Sequence, residues 1–404
     1  MGLEDIEVGL TAQERAIREH AHRFAADVMR PAGETLDRLT DPADVIARDS
    51  VLWTVFERYH DLGFDALLED DDALTPAEGA RLRALVSEEL GWGDAGLAIG
   101  LGAGGFHRYF AQLSGRPALI ERFCQTNGNG HDVGCWAITE PDHGSDTLTL
   151  SEPHWSDPTL RANCVATRDG DEWVIRGQKS AWVSNGTIAT VAALFCTIEP
   201  SHGFSGGGVA LVPLDLPGVS RGKPLDKMGQ RALNQGEIFF DGVHIPADYM
   251  IVGEAGYAAI VERVLTMANA GMGTIFVGVA RAALEHAIEY AKHRIQGGRA
   301  IFEHQSVRGR LFKMFARVEA ARSLARRVAI YNNSQPDGLL HYSIASKTFA
   351  TTTAFEVASE ALQIFGGNGL TRSFPIEKLL RDARASMIED GCNEVLGLVG
   401  ATRL

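Results

Sequence analysis

Cysteine is scarce in this chain: five in 404 residues, at 124, 135, 164, 196 and 392, with no Cys-x-x-Cys spacing. That pattern excludes a disulfide scaffold and a thiolate zinc site, and it leads us to expect reduced thiols in a cytoplasmic protein and no metal. Positive charge is also short. Lys and Arg total 38 against 52 Asp and Glu, a formal charge of −14 with no basic run, which excludes nucleic acid as the main partner. No apolar stretch of about eighteen residues is present to form a membrane span. The start, MGLEDIEVGLTAQERAIREH, is acidic and amphipathic, unlike a secretory signal, and Ile6 stands where a myristoylation pattern needs Ser or Thr.

What remains is an ordinary globular composition, 45% hydrophobic and 22% charged, long enough for two or three domains. The texture changes twice along the chain. Residues 1–132 read as helices, opened by a Thr11-x-x-Glu14 capping box. Residues 133–247 offer short β-branched and aromatic runs split by turn signals, such as CVATRDGDEWVI, VAALFCTI and EIFFDGVHIP. Residues 248–404 return to helix; Val307, Leu311, Met314, Val318, Ala321 and Ala325 recur at the spacing of one buried face. The expected class is α+β, mainly α: an N-terminal helical domain, a middle β-barrel or sandwich domain, and a C-terminal four-helix bundle.

GLGAGG (100–105) matches GxGxxG, but it follows a helical pattern and no βαβ unit surrounds it, so close helix packing is the better account. Four other stretches carry more chemistry. CWAITEPDHGSD (135–146) opens the β-domain, and in GQKSAWVSNG (177–186) Trp182 and Ser184 alternate as strand neighbours would, a flat ring beside a hydroxyl donor. HRIQGGRAIFEHQ (293–305) places Arg294 where it could pair with a pyrophosphate. In ALQIFGGNG (361–369) the glycines free a helix end for an anion, with Gln363 one turn earlier.

Together with KMGQRALNQGEIFFDGVHIP (227–246) and IEDGCNEV (388–395), these stretches resemble the acyl-CoA dehydrogenase family over essentially the whole chain. The resemblance implies an FAD-dependent oxidoreductase that desaturates an acyl thioester at Cα–Cβ, with a base taking the α-proton and flavin N5 taking hydride. By position, Trp136, Ile138, Thr139, Ser145, Trp182 and Ser184 would face the isoalloxazine, with Cys392 and Glu394 nearby. Arg294, Gln305, Gln363, Gly366 and Gly367 would meet the nucleotide end of a flavin in a neighbouring subunit of a homodimer or homotetramer. Ser145, Asn269 and Gly391 would contact substrate, an acyl-CoA or a carrier-bound acyl group, and an electron-transfer flavoprotein or a similar acceptor would reoxidise the cofactor.

The same alignment puts Asp390 on the family's Glu base and Glu389 on its Tyr; the base position that other members use on an earlier helix is Ala268 here. Aspartate is one methylene shorter, about 1.5 Å. It is also the base of nitroalkane oxidases in the same superfamily, although their partner arginine is replaced by Gly397. Gly297 replaces a bulky aromatic, Asp337-Gly338 replaces an arginine pair used for the CoA nucleotide, and SEPHWSDPTL (151–160) reads as an inserted loop near the substrate mouth. Two alternatives share the flavin: an oxidase or monooxygenase using oxygen, and a non-catalytic protein that binds flavin and an acyl carrier.

Overall fold

The computed structural model describes residues 6–65, 74–124, 131–335 and 338–404. At its start Glu14 N–H donates to Thr11 Oγ1 while Thr11 N–H donates to Glu14 Oε2, the reciprocal box expected from the sequence. This caps α1 (Ala12–Phe24), which passes through one π turn into α2 (Arg30–Asp37). α3 (Pro42–Val45), α4 (Val51–Asp61), α5 (Pro76–Gly93), α6 (Ala95–Gly104), α7 (Phe106–Leu113) and α8 (Pro117–Cys124) follow. GLGAGG therefore lies within and just after α6, entered from a helix and not from a strand, and Gly100 O accepts Asn185 Nδ2 at 2.8 Å.

The middle of the chain forms one mixed sheet of β1 (Gly134–Ala137), β2 (Val165–Asp169), β3 (Glu172–Lys179), β4 (Val191–Thr197), β5 (Gly207–Pro213), β6 (Val219–Arg221), β7 (Ile238–Pro246) and β8 (Met250–Val252). The half β6-β7-β3-β2 meets the half β4-β5-β8 through the single pair Val165–Thr197, while β1 runs parallel to β4. Alternate residues of both halves, among them Ile175, Val243, Leu194 and Val212, share one apolar cluster, so the sheet folds over on itself.

α9 (Glu254–His293), α10 (Gln305–Ser334), α11 (Leu340–Phe365) and α12 (Ile376–Ser386) pack as the C-terminal bundle, and α13 (Asn393–Ala401) returns against α11. By length and composition α9 could cross a membrane, but 78% of its most apolar window is buried in the protein, which marks a core helix. α5 docks on α9 with backbones in contact: a Cβ at Gly278 would overlap Glu88 O, and one at Gly91 would overlap Ile275 O. Beside that crossing Arg281, Arg322 and Arg326 converge on the buried Glu88 at 2.9, 3.1 and 2.8 Å.

Candidate active site

The IEDGCNEV stretch forms the turn between α12 and α13. Asp390 takes φ +50° and Gly391 φ +93°. A side chain at 391 would also sit 2.8 Å from Leu396 Cδ2, so glycine is required there twice over. Three separate parts of the fold hold the turn. From the TEPDHGSD segment, Ser145 Oγ accepts the Cys392 N–H at 3.0 Å; from α9, Asn269 Nδ2 donates to Asp390 O at 3.3 Å. From α11, Lys347 Nζ donates to Gly391 O and to Asn393 Oδ1, each at 2.8 Å.

The two acids of the turn are treated differently. Glu389 accepts Gln230 Nε2 at 2.9 Å; burial raises its pKa to about 7, while Gln230 and the Lys227 charge oppose the rise. Asp390 is half-buried, and its carboxylate has no hydrogen bond or ion pair among the described residues. Burial raises its pKa above the ordinary aspartate range, and the nearby Lys347 charge pulls the other way. Such a carboxylate has a lone pair to offer and an environment that makes it more basic. Ala268 is half-buried on α9, one residue before Asn269, which holds the turn.

The TEPDHGSD and GQKSAWVSNG segments are joined as one wall. Ser180 N–H donates to Thr139 O at 2.9 Å. The fully buried Lys179 donates to Glu140 Oε1 at 2.7 Å and to Ile138 O at 3.1 Å. Trp182 and Ser184, however, are not strand neighbours. β3 stops at Lys179, and the chain turns as Val183 N–H donates to Ser180 O and Asn185 adopts φ +62°; Ser184 forms an isolated bridge to Gln235, whose Nε2 also donates to Trp182 O at 3.2 Å. The turn leaves the Trp182 indole 60% exposed, while Gln235 Nε2 reaches Ser184 Oγ at 3.3 Å.

A second cluster gathers at the far end of α9. Tyr290 OH donates to Phe365 O at 3.2 Å and accepts Asn368 Nδ2 at 2.9 Å, which brings the FGGNG turn next to Arg294 at the end of the helix. Arg294, Gln305, Gln363, Gly366 and Gly367 are all exposed there, and a Cβ at either glycine would meet nothing within 4 Å. Gly297 and Gly298, at φ +65° and +81°, make the two-residue turn of the hairpin Ile295–Gln296/Arg299–Ala300, which is why no aromatic stands at 297. No hydrogen bond links this cluster to the Asp390 turn among the described residues. Glu394, on the first turn of α13, is exposed, and Cys392 is half-buried.

Asp337 lies outside the described residues; Gly338 packs on α9, where a Cβ would stand 2.9 Å from Thr266 Cγ2. The SEPHWSDPTL segment, read above as an inserted loop, contains a 3-10 turn at Pro153–Ser156. Its Trp155 is buried, stacks on Tyr257 at 6.0 Å and donates to Thr147 O at 3.2 Å. Sequence reasoning missed Lys347, Gln230 and Asn393. Lys347 did leave a signal, because it interrupts the apolar stripe Ile344, Ala350, Ala354 on a helix that is otherwise buried along that face.

The residues fit a large planar cofactor at the wall. Trp136 Nε1 is a buried donor without a partner among the described residues, and its ring is braced against Phe106 at 5.6 Å and Phe195 at 6.1 Å. A Cβ at Gly144 would meet nothing within 4 Å. Comparison with known proteins agrees in kind. The acyl-CoA dehydrogenase middle domain matches residues 135–243, and the family's C-terminal domain matches 254–404. An acyl-CoA dehydrogenase of Bacillus subtilis is 32% identical over 67% of this chain and 68% of its own length. The mitochondrial short-chain specific acyl-CoA dehydrogenase of Rattus norvegicus is 32% identical over 68% of this chain and 64% of its own length, so the match spans about two thirds of these relatives. The solved butyryl-CoA dehydrogenase of Megasphaera elsdenii superposes with a TM-score of 0.85 at 27% identity, over 98% of this chain and 99% of that one. This chain belongs to the acyl-CoA dehydrogenase family.

Proposed function

We propose that the protein dehydrogenates an acyl thioester at Cα–Cβ, with Asp390 as the base and FAD as the cofactor. The observation that carries this reading is the Asp390 carboxylate, unpartnered among the described residues on a turn clamped from three parts of the fold. Bound FAD would supply the oxidising power by accepting the β-hydrogen with its electron pair. Trp136, Ile138, Thr139, Ser145, Trp182 and Ser184 would hold its ring, with Cys392 and Glu394 at the edge of that site. Arg294, Gln305, Gln363, Gly366 and Gly367 of a second copy would hold its nucleotide end. Asp390 takes the α-proton, which is acidic because the thioester carbonyl stabilises the resulting charge, and the Gly391 N–H beside it is suited to donate to that oxygen. Asn269 and Ser145 line the same turn and would orient the acyl group. The acyl carrier is CoA or a carrier protein, and an electron-transfer flavoprotein would collect the electrons.

Anaerobic titration of the purified yellow protein with CoA- and carrier-linked acyl thioesters tests this by flavin absorbance. Bleaching by at least one thioester is expected, and Asp390→Asn should keep the cofactor while losing at least about 100-fold in bleaching rate. Undiminished bleaching in that variant would move the base elsewhere. Rapid recolouring in air would make the protein an oxidase, and absence of bleaching with tight carrier binding would make it a binding protein.

A further inference from the structure

Lys347 belongs to no motif of the sequence, yet it is fully buried, and a buried ammonium is costly unless it is engaged. Its engagement is specific. Two of its three protons go to Gly391 O and Asn393 Oδ1, which lie on either side of Cys392 and fix the backbone immediately after Asp390. Asn393 in turn donates to Thr351 Oγ1 at 3.0 Å, one helical turn along from Lys347, so α11 grips the turn at two levels.

We propose that Lys347 is a positioning residue for the reaction: from α11 it clamps the backbone that follows Asp390, through Gly391 O and Asn393 Oδ1, and brings its ammonium to that turn. The proposal rests on the assignment of Asp390 as the base. The charged and titratable groups around Lys347 are Asp390, Glu389 and Cys392 on the turn and Glu394 on α13; α9 contributes the neutral Asn269, and Lys227 of the β-domain faces Glu389. Burial lowers the Lys347 pKa to about 8, with Asp390 foremost among the groups that oppose this, so the ammonium is present at neutral pH and is lost in mildly alkaline solution. Burial raises the Asp390 pKa and the Lys347 charge opposes that rise, so neutralising residue 347 raises the pH at which the base becomes available.

The test uses the full-length flavin-loaded protein as wild type, Lys347→Gln, Asp390→Asn and the double variant. In Lys347→Gln the acidic limb of flavin bleaching by an acyl thioester should move up by about one pH unit or more, with the plateau above it lowered by less than about tenfold. A merely structural lysine would lower the plateau and leave the limb in place, and that result overturns the proposal. Independently of any substrate, urea midpoints of the four proteins form a double-mutant cycle. Lys347→Gln and Asp390→Asn should be non-additive at neutral pH; additivity there also overturns the proposal. If no thioester bleaches the flavin while the cycle is non-additive, the functional reading fails and the coupling of residue 347 to residue 390 stands. Should the glutamine variant not fold, carbon-13 labelled lysine in Asp390→Asn reads the same pair. One strongly displaced lysine titration should move further down relative to wild type, and an unmoved titration is the overturning outcome.

Discussion

The reach of one side chain decides most of the chemistry at residue scale. Asp390 places its carboxylate about 1.5 Å closer to its own backbone than a glutamate would, and rates fall on the order of 100-fold for about 1 Å of misplacement. Asp390→Glu should therefore retain flavin yet lose about 10- to 100-fold in kcat, measured in steady state with the thioester that bleaches wild type best. Burial raises the Asp390 pKa, so the ionised form that the proposed base requires accumulates only above the ordinary aspartate range of about 4. Its neighbour gives a cleaner pH prediction. Glu389 has a folded pKa of about 7 against an ordinary 4.5, so it favours the folded state at low pH, and that contribution is lost as pH rises through 7. Glu389→Gln keeps an oxygen for Gln230 Nε2 and removes the charge. At pH 8 it should raise stability by about 1 kcal/mol, and it should flatten the fall in urea midpoint between pH 5 and 8. The sequence shows the two acids but not which of them is unpaired, because Gln230 and Lys347 approach from positions 159 and 43 residues away in the chain.

The sequence marks the elements well wherever a local signal dictates them: the Thr11 box, the Asp169–Glu172 hairpin and the periodic face of α10 stand where they are read. It fails at Trp182 because alternation is no guide once the strand ends at Lys179 and the chain turns back through Ser180–Val183. What the sequence hides most completely is how elements approach one another. Gly91 and Gly278 are unremarkable among 44 glycines, yet they let α5 and α9 touch backbone to backbone. Gly278→Ala forces Cβ into Glu88 O and pushes apart the helices that carry Glu88 and Arg281, so destabilisation of about 2–3 kcal/mol is expected in urea unfolding. A loss under about 0.5 kcal/mol would mean that the crossing relaxes freely. The Glu140–Lys179 pair inside the wall makes a parallel case. Lys179→Met leaves a buried carboxylate without its cation and should cost about 3–5 kcal/mol, with flavin content falling as the wall loosens.

At the scale of the whole molecule, the flavin proposed above would have to meet both clusters. The wall and the Asp390 turn form one group, whereas Arg294, Gln305, Gln363, Gly366 and Gly367 form another on the exposed end of α9, with no hydrogen bond between the two groups among the described residues. The exposed cluster is bordered by apolar side chains that water does not favour: Ile295 is 61% exposed beside Arg294, Phe312 68% two turns after Gln305, and Leu370 74% just after the glycine turn. Polar groups suited to a pyrophosphate, ringed by unpaired apolar surface, are what one half of a symmetric interface looks like before its partner arrives. A second copy covering this face would bury the apolar rim and present the cluster to its neighbour's cofactor, so assembly and flavin retention become one equilibrium. Phe312→Glu places a charge within that rim without touching the Asp390 turn. Light scattering should show wild type as a dimer or larger and the variant shifted toward monomer, with the ratio of 450 nm to 280 nm absorbance falling at least about twofold after gel filtration. Excess FAD should restore colour in proportion to reassembly. A monomeric wild type that keeps its full flavin would show instead that a single chain holds the whole cofactor, and the exposed cluster would need another purpose.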